Sequence, residues 1–460
     1  MNTSSDTITA IATAPGASGI AIVRVSGHDS LSIADRTYRG TPPPPSQRPA
    51  RTFIRGQLTA PGAGDDSAAI DEVILLIYRA PHSYTCEDVV EIQCHGGRTA
   101  AARVLRAVVD AGARHADPGE FTRRAFLNGR IDLPQAEAVA DLIYAKSARA
   151  AATALEQLTG NLSASVTATY DNILASVAQL EASLDFPDYD TPPDPAASAS
   201  SLLRHAHDST AALLSTWDEG HLLREGARAV ITGSPNAGKS TLLNRLLGND
   251  RAIVTSVPGT TRDTVEEQFI LNGVPVTLVD TAGLRRGRSE PEARGIERTE
   301  RAILTADIIL HVIDTSAELT HRDLDILKRP ATPPVLLLLN KADLPRKATL
   351  PQDPRHPSVP VSLLSARDVP TIRDLLSDIL GIHESSDPHA AISERHRSIL
   401  QDVQNLLNEA ISLLAAGDEA NQVLAVTSLR SALSALGTLL GKDAGEDVLD
   451  SIFSRFCIGK

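Results

Sequence analysis

The sequence is poor in residues that cross-link secreted proteins and in residues that stack on nucleic acid bases. Only three of its 460 residues are cysteine, namely Cys86, Cys94 and Cys457. Their spacing forms no disulfide pattern, which favours a reducing compartment. Aromatic residues make up 3% of the chain, and the formal net charge is −13. We therefore expect neither base stacking nor a large positively charged surface to be the main mode of any nucleic acid binding.

Signals for secretion and for membrane insertion are also lacking. Residues 1–7 contain no basic segment of the signal-peptide type. The longest uninterrupted apolar runs, such as 335–339, have the length of a strand rather than the roughly 18 residues that a membrane span requires. We expect a soluble, cytoplasmic protein without a membrane span. Its length is sufficient for about three domains.

The segment 233–240, Gly-Ser-Pro-Asn-Ala-Gly-Lys-Ser, is the most informative motif. An apolar run typical of a buried strand precedes it at 228–232, and residues with helical spacing follow at 241–247. In this context the glycines let backbone N–H groups point at phosphate oxygens. Lys239 can then reach the β- and γ-phosphates, and Ser240 can ligate Mg²⁺. The alternative is a plain glycine turn between a strand and a helix.

Further signals for a phosphate and metal site follow in chain order. Thr261 can complete the Mg²⁺ coordination and sense the γ-phosphate. A hairpin with a two-residue turn is predicted over 265–279. It leads to Asp280, which can hold the metal through water, and to Gly283, whose backbone can approach the γ-phosphate.

Two further segments predict which base of a bound nucleotide is recognised. Strands are predicted over 308–314 and 335–339, and Asp343 follows the second of them. Its carboxylate can accept hydrogen bonds from guanine N1–H and N2–H₂, which adenine lacks. The segment 361–367 would place backbone beside the base oxygen. The sequence therefore predicts selectivity for GTP, although the Asn-Lys-Ala-Asp segment on its own is also compatible with a helix cap after a strand.

The residue that follows 280–283 is Leu284, where Ras-type enzymes have a glutamine that orients the attacking water. Glu290 and Glu292 in the next loop are candidates for that role, and a solvated charged loop is the alternative. Positive charge near the phosphates could come from Arg262, Arg285 or Arg286, or from a bound cation.

The chain changes character along its length. The first 120 or so residues mix strands and helices as in an α+β domain, with buried strands predicted over 72–78 and 89–93. Long helices are predicted within 133–184, 201–223 and 392–456. We interpret the helical blocks as one bundle interrupted by the nucleotide domain. The expected domains are 1–120, 121–225, 226–383 and 384–460.

With these motifs in place, the chain resembles the MnmE (TrmE) family of bacterial tRNA-modification GTPases from end to end. The resemblance is carried by the motifs beginning at Gly233, Pro258 and Asp280, by Gly-Glu-Phe-Thr-Arg-Arg-Ala-Phe-Leu-Asn from Gly119, and by the terminal Phe-Cys-Ile-Gly-Lys460. It implies a multidomain fold. The parts would be an α+β tetrahydrofolate-binding-like N-terminal domain, an all-α helical bundle, and an inserted Ras-like α/β P-loop GTPase domain.

The resemblance also implies roles in the nucleotide site. Glu292 falls at the family's water-orienting glutamate, which favours it over Glu290. The implied K⁺ ligands are Asn236, Thr255, Val257 and Thr260, and the implied Mg²⁺ ligands are Ser240 and Thr261. GTP binding is expected from Asn236, Ala237, Gly238, Lys239, Ser240, Thr241, Thr255, Ser256, Val257, Pro258, Gly259, Thr260, Thr261, Asp280, Thr281, Ala282, Gly283, Asn340, Lys341, Asp343, Ser365, Ala366 and Arg367.

For the N-terminal domain the resemblance implies a tetrahydrofolate derivative, 5,10-methylene-tetrahydrofolate, with the 5-formyl form as an analogue. The implied contacts are Arg24, Glu87, Arg130 and Lys460. The sequence departs from the family pattern at three positions. Arg130 stands where lysine is familiar, and an arginine keeps the charge but not the shape. Cys86 and Cys94 stand where glycines are familiar.

Cys457 has three interpretations. It can be a buried structural cysteine, part of a C-terminal prenylation motif that Gly459 and Lys460 fit poorly, or, as the resemblance implies, a functional thiol at the modification site. Cys86, Cys94 and His95 are three possible zinc ligands, too few for a closed structural site.

The resemblance implies a K⁺-activated GTP hydrolase that takes part in the C5 modification of the wobble uridine (U34) of tRNA. The product would be 5-carboxymethylaminomethyluridine or the aminomethyl form. The implied partners are a second copy in a homodimer, an FAD-dependent MnmG-like protein, and tRNA bound transiently. Two alternatives remain: a ribosome-assembly or RNA-binding GTPase, and a GTP-gated scaffold without modification chemistry.

Overall fold

The computed structural model describes residues 6–62, 68–185, 195–248, 266–280, 300–350, 356–382, 392–416 and 418–460. The chain divides into two compact units. Unit 1 takes in Met1–Ala140, Ser163–Tyr170 and Arg430–Lys460, and unit 2 takes in Asp141–Leu162 and Asp171–Leu429.

Unit 1 is built on a mostly antiparallel sheet. Its strands are β1 (Ile8–Ile11), β2 (Ile20–Ser26), β3 (Tyr38–Gly40), β4 (Thr52–Leu58), β5 (Asp71–Tyr78), β6 (Val89–His95) and β7 (Arg114–His115). They form one sheet in the order β3–β4–β5–β6–β2–β1–β7, in which β1 and β7 are the parallel pair. Helices α1 (Ser30–Thr37) and α2 (Arg98–Asp110) pack against it and share its apolar core.

The strand predicted over 72–78 exists, but the prediction that it is buried is wrong for one of its faces. Val73, Leu75 and Ile77 are buried, whereas Ile74 is 39% exposed. An antiparallel sheet commonly has one face against the core and the other in water, so its side chains alternate.

Helices α3 (Glu120–Leu127) and α14 (Glu446–Phe453) also belong to unit 1, and they pack together. The rings of Phe126 and Phe453 lie 6.4 Å apart, and Arg123 pairs with Asp450 at 3.0 Å. The end of the chain is thus fixed to the segment that follows the first sheet.

Unit 2 contains the sheet predicted for a nucleotide domain. Its strands are β8 (Ala227–Gly233), β9 (Glu266–Leu271), β10 (Val274–Asp280), β11 (Ile308–Asp314), β12 (Val335–Asn340) and β13 (Ser358–Pro360). The order is β13–β12–β11–β8–β10–β9, and every pair is parallel except β9 with β10. The predicted hairpin is confirmed: Asn272 and Gly273 both have positive φ, at +47° and +84°, as a type I′ turn requires.

Further helices in the described part of the chain are α4 (Leu133–Tyr144), α5 (Ala148–Leu158), α6 (Asn161–Asp185), α7 (Pro195–Ser215), α8 (Trp217–Glu225), α9 (Lys239–Leu247), α10 (His321–Leu327), α11 (Val369–Leu380), α12 (Glu394–Ala416) and α13 (Glu419–Leu440). The helical block at 133–184 is interrupted twice. Ser147 caps α5 by accepting a hydrogen bond from the Ala150 N–H at 3.1 Å, and Gly160, with φ +98°, separates α5 from α6.

Helical segments on the two sides of the nucleotide sheet in sequence meet within unit 2, because α7 packs along α12. A second contact joins helix α5 to the hairpin of the sheet. Arg149 donates to the Asn272 carbonyl at 3.1 Å, and its side chain fills the space beside Gly273. This contact holds the β9–β10 turn against α5.

Helix α13 is the single described helix that is long and apolar enough to cross a membrane, with a mean hydropathy of 1.5 over the relevant stretch. Its apolar residues do not form one long run, because Thr427, Ser428, Arg430, Ser431 and Ser434 separate them. However, 56% of that stretch is buried within the protein, and core helices of soluble proteins meet the same criterion.

Candidate nucleotide-binding site

The segment between β8 and α9 forms the predicted phosphate loop. Gly233 has φ +141° and Gly238 has φ +112°, a region that favours glycine. A Cβ atom on Gly233 would collide with the Val312 carbonyl oxygen, and one on Gly238 with the Asn340 side-chain amide. Both positions therefore require glycine for their backbone angles and for space. Asn236 also has positive φ, at +62°, which asparagine tolerates better than most residues.

Lys239 is the first residue of α9, and its side chain is buried. Its Nζ donates to the carbonyl oxygens of Gly233 at 3.0 Å and Ser234 at 2.7 Å, so the ammonium group lies inside the loop. Ser240 is exposed at the start of the helix and Thr241 is half-buried.

Asp280 ends β10, the strand next to β8, and pairs with Ile231 in the parallel ladder. Because parallel strands run in the same direction, Asp280 lies at the edge of the sheet where the phosphate loop begins. It is 8% exposed. The register of the β8–β10 ladder thus brings Asp280 and the start of the phosphate loop to the same edge of the sheet.

Asn340 connects the phosphate loop to the segment expected beside the base. It ends β12 and is 5% exposed. Its Nδ2 donates to the Ala237 carbonyl at 2.7 Å, and its Oδ1 accepts from the Leu363 N–H at 3.0 Å. One buried amide thus fixes two loops that are far apart in sequence.

Asp343 is exposed at the same edge, as a residue that contacts a bound base must be before binding. Ser365, Ala366 and Arg367 lie at a 3₁₀ turn over Ala366–Asp368, where the Ser365 hydroxyl accepts from the Arg367 N–H at 3.2 Å. The candidate base-binding residues therefore lie on short loops held by Asn340.

Two supporting residues were not predicted. Arg245 on α9 donates to the Leu363 carbonyl at 3.2 Å and to the Leu364 carbonyl at 2.6 Å. Asp314 pairs with the Lys341 ammonium. Burial raises the pKa of Asp314, but hydrogen bonds from Lys341 and Ser316 outweigh it and leave the pKa below its ordinary value.

Some of the predicted residues lie outside the described part of the chain, and their contacts remain predictions. They are Thr255, Ser256, Val257, Pro258, Gly259, Thr260, Thr261, Thr281, Ala282, Gly283, Glu290 and Glu292.

A second cluster of candidate residues lies in unit 1, around Arg24 on β2. Arg24 pairs with Glu91 at 2.7 Å, and its guanidinium lies 5.2 Å from the Tyr84 ring centroid and 5.6 Å from that of Phe121. Its Nη1 is buried and has no hydrogen-bond partner within the described residues. A buried cationic donor of this kind suits an acceptor group of a ligand.

Glu87 is held by two neighbours. Its carboxylate accepts from the Ser26 hydroxyl at 2.6 Å and from Arg124 at 3.1 Å. Arg124, which also pairs with Asp6 and Glu120, is 5% exposed. Burial lowers the pKa of Arg124, but these carboxylates, Glu87 foremost, raise it above its ordinary value. Arg124 was missed as a site residue, although it lies in the motif from Gly119 that carried the resemblance.

The C-terminal residues lie against the same sheet. A Cβ atom on Gly459, whose φ is +100°, would collide with the Ile11 carbonyl oxygen. Burial and the nearby Arg24 lower the pKa of Lys460. The structure thus brings Lys460 close to Arg24. Cys457 is exposed, so its interpretation as a buried structural cysteine is wrong.

Comparisons with known proteins cover the chain almost completely. The family described as "GTP-binding protein TrmE N-terminus" matches residues 7–130, and "MnmE helical domain" matches residues 133–457. The tRNA modification GTPase MnmE of Moorella thermoacetica is 42% identical over 466 residues, with 99% of each chain covered. That of Chloroflexus aurantiacus is 44% identical over 461 residues, covering 99% of this chain and 100% of the relative.

The chain belongs to the MnmE family of tRNA modification GTPases. The predicted resemblance and fold class are therefore confirmed. Among solved structures, the G domain of the T. maritima FeoB iron transporter is 20% identical, covers 33% of this chain and 98% of its own, and has a TM-score of 0.25. An Aquifex aeolicus Era variant is 26% identical, covers 40% and 67%, and has a TM-score of 0.25.

The three departures expected from the MnmE pattern have distinct environments. Arg130 donates to the Tyr84 carbonyl at 2.8 Å and lies 4.8 Å from the ring centroid of the same residue. Cys86 has φ +60°, which is a conformation that glycine adopts without strain.

Cys94 is buried on β6, where its thiol donates to the Ala21 carbonyl at 3.5 Å. Burial raises its pKa to about 11, so it stays protonated near neutral pH. The neighbouring His95 pairs with Asp71 at 2.6 Å. Within the described ranges no group of three potential metal ligands converges, so the zinc interpretation of Cys86, Cys94 and His95 finds no support.

Proposed function

We propose that this chain hydrolyses GTP as part of the modification of tRNA. The observation that carries the proposal is the Asn340 amide, which holds the phosphate loop and the base-side loop at one edge of the sheet with Asp343 exposed beside them. The full-length similarity to proteins named tRNA modification GTPases supports the same activity.

In this proposal Lys239 exchanges its two loop carbonyls for oxygens of the β- and γ-phosphates. Ser240, Thr261 and Asp280 would hold Mg²⁺, with Asp280 acting through a bound water. Asn236, Thr255, Val257 and Thr260 would hold K⁺. When bound, the cations neutralise charge that develops between the β- and γ-phosphates. Glu292 orients the attacking water.

Unit 1 would bind a tetrahydrofolate derivative such as 5,10-methylene-tetrahydrofolate. The orphaned Nη1 of Arg24 and the proximity of Lys460 support this assignment, because a folate carries acceptor groups and carboxylates. Glu87 and Arg130 complete the proposed set. The bound folate supplies the one-carbon unit, while these side chains bind and orient it.

The reaction served would be the C5 modification of the tRNA wobble uridine U34, with an FAD-dependent MnmG-like partner. The product would be 5-carboxymethylaminomethyluridine or its aminomethyl form. We assign the protein as a cytoplasmic homodimer with domains at 1–120, 121–225, 226–383 and 384–460. Cys457 is assigned a role at the modification site, which its exposure allows.

The base assignment is tested with Asp343→Asn. We expect the wild-type chain to hydrolyse GTP and to leave ATP nearly untouched. The variant should hydrolyse GTP more slowly and xanthosine triphosphate faster. The asparagine amide can donate to the C2 carbonyl that xanthine has in place of the guanine amino group. Initial rates with the three nucleotides provide the measurement. Unchanged base preference, or equal hydrolysis of ATP and GTP by the wild type, would contradict the proposal.

The tRNA assignment is tested by nucleoside mass spectrometry of tRNA from cells that lack the protein. The modified wobble uridine should disappear and return with the wild-type gene but not with Cys457→Ser. Persistence of the modified nucleoside in the deleted strain would exclude the assigned reaction.

A further inference from the structure

A chain of polar side chains lies directly behind the phosphate loop, and the mechanism proposed above uses none of it. Its members are Thr232 at the end of β8, Ser234 in the loop, His311 on β11, and Thr320 and Asp323 at the start of α10. His311 is 1% exposed, Asp323 is 3% exposed and Thr232 is 6% exposed. Burying polar groups this deeply destabilises the folded state unless each of them forms hydrogen bonds.

His311 links two elements with its two ring nitrogens. It lies opposite Thr232 in the ladder between β8 and β11. Nδ1 lies 2.8 Å from the Thr232 hydroxyl, and Nε2 lies 2.9 Å from Oδ1 of Asp323. An imidazole held at both nitrogens has a fixed orientation, so β8, β11 and α10 are joined at one point.

Asp323 carries the connection onward to the loop. Its Oδ2 accepts from the Thr320 N–H at 2.8 Å and from the Thr320 hydroxyl at 2.6 Å. The Ser234 hydroxyl lies 2.7 Å from that of Thr320 and 3.3 Å from Oδ2 of Asp323. The Ser234 carbonyl in turn accepts from Nζ of Lys239.

We propose that His311 and Asp323 are positioning residues that hold the phosphate loop in its nucleotide-binding conformation through Thr232 and Ser234. These two contacts bracket Gly233, the residue at which the strand turns into the loop. Ordering this loop during folding reduces the entropy lost when nucleotide binds. The inference rests on the proposed guanine nucleotide binding.

The test uses Ser234→Ala, which removes the hydroxyl that joins the network to the loop but leaves the His311–Asp323 pair intact. Ser377→Ala is the matched control. The Ser377 hydroxyl bonds Asn272 at 3.1 Å, at the turn that precedes β10 and thus at the opposite edge of the same sheet. The measurement is the Kd of the full-length chain for fluorescently labelled GDP, together with KM and kcat for GTP.

For Ser234→Ala we expect a Kd and a KM that rise about threefold to tenfold, the range for loss of one hydrogen bond, with kcat nearly unchanged. Ser377→Ala should bind like the wild type. His311→Gln and the double variant complete a cycle. If both residues act through one network, their effects on Kd are not additive.

Three outcomes are decisive. Nucleotide affinity in Ser234→Ala equal to that of the wild type would overturn the positioning role, and so would fully additive effects in the cycle. Failure of the wild type to bind GDP or GTP would instead overturn the proposed function, and the positioning role with it.

Discussion

The two hydrogen bonds of the Asn340 side chain predict a large effect of Asn340→Ala. The substitution leaves the Ala237 carbonyl and the Leu363 N–H without their partner in a region where Asn340 itself is 5% exposed. Each buried group without a partner costs about 1–3 kcal/mol, so the free energy of unfolding should fall by about 2–6 kcal/mol. Nucleotide affinity should fall as well, because both loops lose their common support.

Thr315→Val is the control, because it removes a hydrogen bond to the same residue without leaving an unpaired group. The Thr315 hydroxyl donates to the Asn340 carbonyl at 2.8 Å, but the Thr315 N–H donates to the same oxygen at 3.0 Å. We expect a loss of about 1 kcal/mol. Urea unfolding followed by the fluorescence of Trp217, the single tryptophan and a residue of unit 2, measures both variants. Equal losses in the free energy of unfolding for Asn340→Ala and Thr315→Val would show that the unpaired Ala237 carbonyl and Leu363 N–H carry no extra penalty.

Three further predictions concern pH, folate and potassium. Burial raises the pKa of Asp323, but hydrogen bonds from His311 and Thr320 outweigh it and lower the pKa from 3.8 to about 2. The lowered pKa contributes about 2 kcal/mol to the free energy of unfolding above about pH 4. This contribution is lost as the pH falls through about 2. Acid unfolding of unit 2 should therefore be less steep in Asp323→Asn, and identical acid transitions would contradict this. Arg24→Gln should weaken binding of 5-formyl-tetrahydrofolate at least about tenfold by calorimetry, since hydrogen bonds to a charged group are strong, and should leave GDP affinity unchanged. GTP hydrolysis should be faster in K⁺ than in Na⁺ at equal ionic strength, and equal rates would remove the catalytic role of the cation.

The phosphate loop and the hairpin were predictable because their signals are local. Gly233, Gly238 and the Asn272–Gly273 turn each require a backbone angle that few residues adopt, and the neighbouring residues have the matching periodicity. The order of the motifs along the chain indicated a nucleotide domain, whereas the strand order of the parallel sheet shows which loops meet at one edge.

Residues whose partners are distant in sequence could not be found in this way. Arg124 bonds Asp6, which is 118 positions away, and His311 bonds Thr232, which is 79 positions away. Nothing in the sequence around either residue indicates such a partner. For the same reason Ile74 was assigned to a buried strand, since the strand itself does not reveal whether a second layer covers it.

Strand β10 directly connects the edge of the sheet beside the phosphate loop with helix α5. Asp280 lies at one end of this strand, and the turn that Arg149 contacts lies at the other. Seven extended residues span about 20 Å, with no intervening loop to bend. A displacement of Asp280 along the strand must therefore be resisted by the ladders on both sides of β10 or transmitted along the strand to the turn that contacts α5.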